Sequence, residues 1–259
     1  MTYTTIKTES IDENIAVIIL NRPEALNTFN TTLAEELWDA LVSANSDKAV
    51  RVIMIKGEGR AFCAGIDVKE LEGKSGLDYE RWIKRMERPL HGISSLSKPV
   101  IAMHHGVAAA NGMGLVASSD LVISADTARM GLTAINVGLN CIGPVIPVSR
   151  CIGRKRALEL LFTGRLLNAE EAMAMGLVNK VVPEAKLETD ALNWARELAA
   201  KSPVAMRIAK TAFYTAEDMS YDKQFAYMNE AFARLCSTED AKEGVRAFFE
   251  KRDPDWNGR

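Results

Sequence analysis

Apolar residues in the first two thirds of the chain gather in short β-branched runs. IAVIIL at 15–20, VRVIMIKG at 50–57, PVIAM at 99–103, DLVISA at 120–125 and VNKVV at 178–182 have the length and composition of buried strands. Helically spaced stretches separate them. Leu33, Leu37 and Leu41 keep one apolar stripe. Thr32 with Glu35, Asp67 with Glu70 and Asn168 with Glu171 have the spacing of a helix cap whose third residue reaches back. The last of these helices is expected to stop at Gly176. Glycine-rich or irregular stretches follow strands at 57–66, 106–114 and 138–144, where α/β proteins place ligand loops.

From about Lys186 the strand signal ends. Three helical patterns follow, parted at Ser202-Pro203 and near Ser220; a proline is tolerated in a first helical turn. The pattern predicts an α/β core over residues 1–200 and a helical region over 201–259. The final helix pattern, from about Glu239, carries Val245, Phe248 and Phe249. So large an apolar load predicts docking onto the core or onto another subunit.

Composition narrows the function classes. With 259 residues, 47% of them hydrophobic, the chain can bury a core without metal or disulfide staples. Cys63, Cys141, Cys151 and Cys236 form no CxxC pair, which argues against a zinc site and fits a reducing compartment. The balance of 32 basic and 34 acidic residues disfavours a general nucleic-acid surface. No apolar run approaches the ~18 residues of a membrane span. The opening MTYTTIKTES has neither basic head nor apolar stretch, so no signal peptide is read and a cytoplasmic location is expected. GxGxxG, GxxxxGK, GxSxG and HExxH do not occur, which leaves nucleotide, serine-hydrolase and zincin chemistry without their usual handle. Adjacent His104 and His105 would face opposite sides of a strand end, and with His91 they read as ordinary surface or core histidines.

The positive signal lies in the backbone. In RAFCAGIDVKEL at 60–71 a strand passes through Ala64, Gly65 and Ile66 to Asp67, leaving unpaired N–H groups at a turn. In HGVAAANGMGL at 105–115 a second strand end passes through small residues into a helix. Two such turns brought together would aim two N–H donors at one oxygen and form an oxyanion hole. Small residues in such turns also serve close packing.

Together, NRPEALNTFN (21–30), RAFCAGIDVKEL, KPVIAMHHGVAAANGMGLVASSDLVISA (98–125), TGRLLNAEEAMAMGLVNKVV (163–182) and DAKEGVRAFFEKRDPDW (240–256) resemble the crotonase superfamily, the enoyl-CoA hydratase and isomerase group. The resemblance runs in order from the first strand run to the last helix. It implies an α/β fold, a crotonase-like spiral of ββα turns with a C-terminal helical trimerisation region. It also implies homotrimers, often paired into hexamers. The substrate it implies is an acyl-CoA thioester that brings its own coenzyme A, with no permanent cofactor, no metal, no nucleic acid and no membrane partner.

Carried over residue by residue, the resemblance makes the backbone N–H groups of Ile66 and Asn111 the oxyanion donors. Relatives usually have glycine at the second place. Asparagine is the other residue that best tolerates positive φ, so Asn111 is expected to keep that geometry; the alternative is a plain turn residue. Ala25 and Leu26 would line the coenzyme A channel, and the backbone of Ala64 would meet the adenine. Phe248 and Lys251 match an aromatic and a basic residue given by a neighbouring subunit.

One departure changes the chemistry. Hydratases carry two glutamates where this chain has Gly114 and Ala134, and water addition needs both an acid and a base. Hydration is therefore expected to be weak, and Gly114→Glu with Ala134→Glu to restore some of it. Ile142 stands where dehalogenating relatives carry an aspartate. Asn136, Asn140 and Cys141 are left as polar groups near the implied pocket, although Asn136 could cap backbone and Cys141 could be packing. The TAINVGLNC stretch resembles the malonyl-type decarboxylase branch, and decarboxylation through a stabilised thioester enolate is the leading reading. The alternatives are a hydratase or isomerase with relocated acid and base groups, or a silent acyl-CoA-binding protein.

Overall fold

Alternating side-chain direction explains how one apolar run serves two cores. In Ile15–Leu20, residues 15, 17 and 19 enter one buried cluster while 18 and 20 enter another, the period of two that a strand requires. The structure, a computed structural model, describes residues 2–259. Its elements are β1 (Ile6–Ile11), β2 (Ile15–Leu20), α1 (Thr31–Ser46), β3 (Val52–Gly57), α2 (Gly76–Gly92), β4 (Val100–His104), β5 (Val107–Ala109), α3 (Asn111–Ser118), β6 (Leu121–Ala125) and β7 (Arg129–Gly131). There follow α4 (Val145–Ile152), α5 (Arg154–Thr163), β8 (Leu166–Asn168), α6 (Ala169–Met175), β9 (Lys180–Val182), α7 (Leu187–Ala199), α8 (Pro203–Ala216), α9 (Tyr221–Cys236) and α10 (Glu239–Glu250).

Six strands form one sheet in the order β1-β2-β3-β4-β6-β9. Only β1 runs antiparallel to its neighbour. A second sheet has the order β5-β7-β8. Consecutive strands β4 and β5, and again β6 and β7, divide between the two sheets, so each strand pair with its helix makes one step of a spiral. On one face of the large sheet, Ile15, Val17, Val52, Met54, Ile101 and Ile123 pack against Leu187, Ala191 and Ala195 of α7. The opposite face joins Leu33, Leu37 and Leu41 of α1 with Met86 and Leu90 of α2. The last strand ends at Val182, and α8, α9 and α10 pack on one another beyond it.

Local signals met three kinds of outcome. The five apolar runs each contain a strand, Asn168 and Glu171 make a reciprocal cap, and Gly176 ends α6 in the left-handed region. Two expected caps differ. Asn30, not Thr32, caps α1 by accepting from Leu33 N. Asp67 caps only a four-residue 3-10 turn, Val68–Leu71. Glu70 does not reach back; it accepts from Thr31 and from Trp82 Nε1 at 2.8 Å, because a tertiary partner satisfied it first. Strands β1, β5, β7 and β8 gave no apolar run: β1 is exposed along its middle and the others have three residues each.

Candidate active site

The site grows from a short parallel ladder between two loops. Cys63 and Ala108 are bridge partners. Phe62 N donates to His105 O at 3.2 Å, Cys63 N to Val107 O at 3.1 Å and Ala109 N to Cys63 O at 2.9 Å. Past that last rung both segments turn away. Gly65 turns at φ +111°, a conformation that needs glycine, and a Cβ on it would stand a tight 3.2 Å from Ala110 Cβ. Ile66 and Asn111 come next, at the same end of the ladder. Among the described residues neither backbone N–H has an acceptor. Asn111 opens α3, so it has no carbonyl behind it within that helix.

Positive φ falls one residue earlier than expected. Ala110 has φ +49° and ψ −114°, whereas Asn111 is not among the positive-φ residues. The turn is made before α3, so the strain sits on Ala110 and Asn111 is already helical. Asn111 is 1% exposed, and its amide Nδ2 is buried without a partner.

The loop that the resemblance implies as channel lining meets the same ladder. Pro23–Ala25 form a 3-10 turn closed by Leu26 at φ +52°, and Ala64 N donates to Leu26 O at 3.0 Å. Asn27, fully buried, locks the two loops together. Its Oδ1 accepts from Arg22 N at 2.8 Å, and its Nδ2 donates to Glu58 O and Ala61 O at 2.9 and 2.8 Å. Arg22 donates to Asp67 at 2.9 Å, and this bond holds the Asp67 carboxyl below the usual carboxylate range. Asp67 N donates in turn to Phe29 O at 2.7 Å, so Ile66 is clamped on both sides. The chain thus brings together Ala25, Leu26, Ala64, Ile66 and Asn111. Phe248 and Lys251 stand apart at the end of α10, with Phe248 77% exposed.

Gly114 lies one turn beyond Asn111 in α3, and the space beside it is filled. A Cβ there would come within 2.6 Å of Leu90 Cδ2 and 2.9 Å of Pro144 Cβ. Ala134 is half-buried against the core. Asn136 donates from Nδ2 to Gly164 O at 3.2 Å, and Asn140 Oδ1 accepts from Cys141 N at 2.8 Å, so both amides hold backbone. Cys141 is 3% exposed, and burial pushes its thiol up against the opposing pull of the Ala134 N–H; it packs as a neutral thiol. His104 is buried with Nδ1 2.9 Å from Ser124 Oγ, and burial with the neighbouring His105 pushes it down to about 3. No metal-holding cluster of His, Cys, Asp and Glu occurs among the described residues, nor any helix long and apolar enough to cross a membrane.

Sequence reasoning missed Asn27, Arg22 and Glu87. The N-x-F spacing of Asn27 and Phe29 carries no chemical label, and its partners lie a loop away. Glu87 sits on the α2 turn that precedes Leu90. Its carboxylate overlaps the place where a Cβ on Gly143 would stand, and burial pushes it above the ordinary glutamate value.

Comparison with known proteins places the fold in a family. The family model described as enoyl-CoA hydratase/isomerase matches residues 10–259. Human enoyl-CoA hydratase domain-containing protein 3, mitochondrial, is 33% identical over 95% of this chain and 81% of its own. The crystal structure of an enoyl-CoA hydratase from Mycobacterium smegmatis superposes with TM-score 0.95 at 34% identity, covering 98% of this chain and 99% of the other. That of a Bacillus anthracis enoyl-CoA hydratase gives 0.93 at 32% identity, covering 99% and 100%.

Proposed function

The chain belongs to the enoyl-CoA hydratase/isomerase family, and we propose that it binds an acyl-CoA thioester with the carbonyl oxygen at the N–H groups of Ile66 and Asn111. The observation that carries this reading is the pair of unsatisfied donors at one end of the ladder. When a C2–H bond ionises, charge moves onto the thioester oxygen, and donors fixed in advance lower that barrier. Each such donor is worth about 3 kcal/mol in related sites. Coenzyme A follows the strip formed by Ala25, Leu26 and Ala64. Phe248 and Lys251 would serve the channel of a neighbouring subunit in a trimer.

The reaction is enolate chemistry without the two-glutamate hydration machinery. Pro144 and Leu90 take the room a glutamate at 114 would need, and residue 134 is alanine. Decarboxylation loses its place as first choice. The relatives are named for hydratases, and the groups meant to support it, Asn136, Asn140 and Cys141, are engaged in backbone bonds or buried packing. The test is a mass-spectrometric screen of the purified protein against enoyl-, 3-hydroxyacyl- and malonyl-type thioesters. Turnover by proton movement within the acyl chain is expected. Rapid hydration of crotonyl-CoA, or release of CO₂ from a malonyl-type thioester, would overturn this assignment.

A further inference from the structure

We infer that the Glu87 carboxylate is the proton-transfer group of this site, acting at C2 of the bound thioester from α2 rather than from α3. The inference rests on the acyl-CoA reading above. Its geometry is a chain of contacts. The carboxylate lies where a Cβ on Gly143 would stand, so only glycine admits it; Gly143 leads into Pro144; and Pro144 with Leu90 closes the space over Gly114. Gly114 follows Asn111 by one turn of α3, and Leu90 follows Glu87 by one turn of α2. The wall that has lost its carboxylate at 114 therefore has another one reaching it from the neighbouring helix.

Its surroundings suit proton transfer. Glu87 makes no hydrogen bond and no ion pair among the described residues, although burial alone raises its pKa. The charged groups nearby are turned elsewhere. Arg85 approaches Glu35 at 3.8 Å, and Arg88 stacks 5.1 Å from the Trp38 ring centre. His91, one turn on, is exposed with no bond to Glu87, and across the loop the Cys141 thiol is neutral. The Glu87 carboxylate is half-buried and its oxygens are not among the fully buried unpartnered atoms, so it is a carboxylate that solvent still reaches. One left without a partner and shifted toward neutrality can both take and return a proton.

The step balances without a co-reactant. A Glu87 oxygen takes the proton from C2, and the C–H electron pair moves into the thioester carbonyl, whose oxygen is held by the Ile66 and Asn111 N–H groups. The proton then returns to C2, or to C4 where the chain carries a 3,4 double bond, and the carbonyl re-forms.

The probe is but-3-enoyl-CoA in D₂O, with binding measured by calorimetry and deuterium uptake and double-bond migration by mass spectrometry and NMR. The wild-type protein is expected to bind the thioester and to exchange. Glu87→Gln should bind within about twofold yet exchange at least ~100-fold more slowly, the usual cost of losing a positioned acid-base group. Glu87→Asp should keep part of the rate. Gly143→Ala, which forces the carboxylate out of its seat, should slow exchange while Glu87 itself remains, and it serves equally if Glu87→Gln does not fold. Exchange by Glu87→Gln or Gly143→Ala at the wild-type rate with intact binding overturns the role of Glu87 and leaves the acyl-CoA reading standing, as does a wild-type protein that binds without exchanging. A wild-type protein that binds no thioester overturns the reading itself.

Discussion

Pro144 occupies the space into which a side chain at Gly114 would project, with its Cβ 2.9 Å and its Cα 3.2 Å from where that side chain would begin. Backbone as well as side chain is in the way, and Leu90 stands opposite. Hydration of crotonyl-CoA is expected at no more than ~10⁻⁴ of the rate of a two-glutamate relative. The sequence alone predicts that Gly114→Glu with Ala134→Glu restores some of it. The packing reverses that expectation: the double variant should lose about 1–3 kcal/mol to overpacking and regain little hydration. Urea unfolding and the loss of enoyl-thioester absorbance measure the two effects. Undiminished stability together with restored hydration would show that Pro144 yields.

Ala110 carries the backbone strain of the turn that precedes α3, at φ +49° and ψ −114°. That region costs a non-glycine residue about 1–3 kcal/mol, against about 0.5–1 kcal/mol for the greater unfolded freedom of glycine. Ala110→Gly is therefore expected to stabilise the protein by about 1 kcal/mol, read from the denaturation midpoint. A destabilised variant would mean that the Ala110 methyl, which faces Gly65, contributes more by packing than its backbone loses.

How much of this was legible in the sequence depended on the range of the cause. Strand runs such as Ile15–Leu20, the Asn168 cap and the Gly176 stop announce themselves within a few residues. The two small-residue turns, at 64–66 and 109–111, were readable as turns for the same reason, whereas the choice of Ile66 and Asn111 as donors came from the family resemblance. Glu87 against Gly143 and Pro144 over Gly114 were not, since each pair is remote in sequence and joined only by helix packing. The positive φ was placed on Asn111 because asparagine tolerates it, yet the ladder geometry puts the turn one residue earlier.

Asp67 should make stability pH-dependent on the acid side. The Arg22 hydrogen bond, opposed by partial burial, holds its carboxyl below the ordinary value in the folded protein. A depressed folded pKa contributes stability above the unfolded value of about 3.9, lost as pH falls through the lower folded value. Asp67→Asn should flatten the decline of unfolding free energy below about pH 4. An unchanged slope in a urea titration series would remove Asp67 from the account of acid stability.

Phe248 and Phe249 are 77% and 76% exposed, and Phe213, Phe225, Phe232 and Val245 are also open on the C-terminal helices. Apolar surface on this scale marks an interaction site, so the chain is expected to sediment as a trimer or a hexamer. A stable monomer at micromolar concentration would contradict both the assembly and the part given to Phe248 and Lys251 in a neighbour's channel.

The most direct measurement is a crystal structure of the protein with but-3-enoyl-CoA or its saturated analogue bound. The thioester oxygen is predicted to lie within hydrogen-bond distance, about 2.7–3.2 Å, of both the Ile66 and the Asn111 backbone nitrogens, with C2 turned toward Glu87. A thioester carbonyl beyond hydrogen-bond reach of both nitrogens would contradict the central claim.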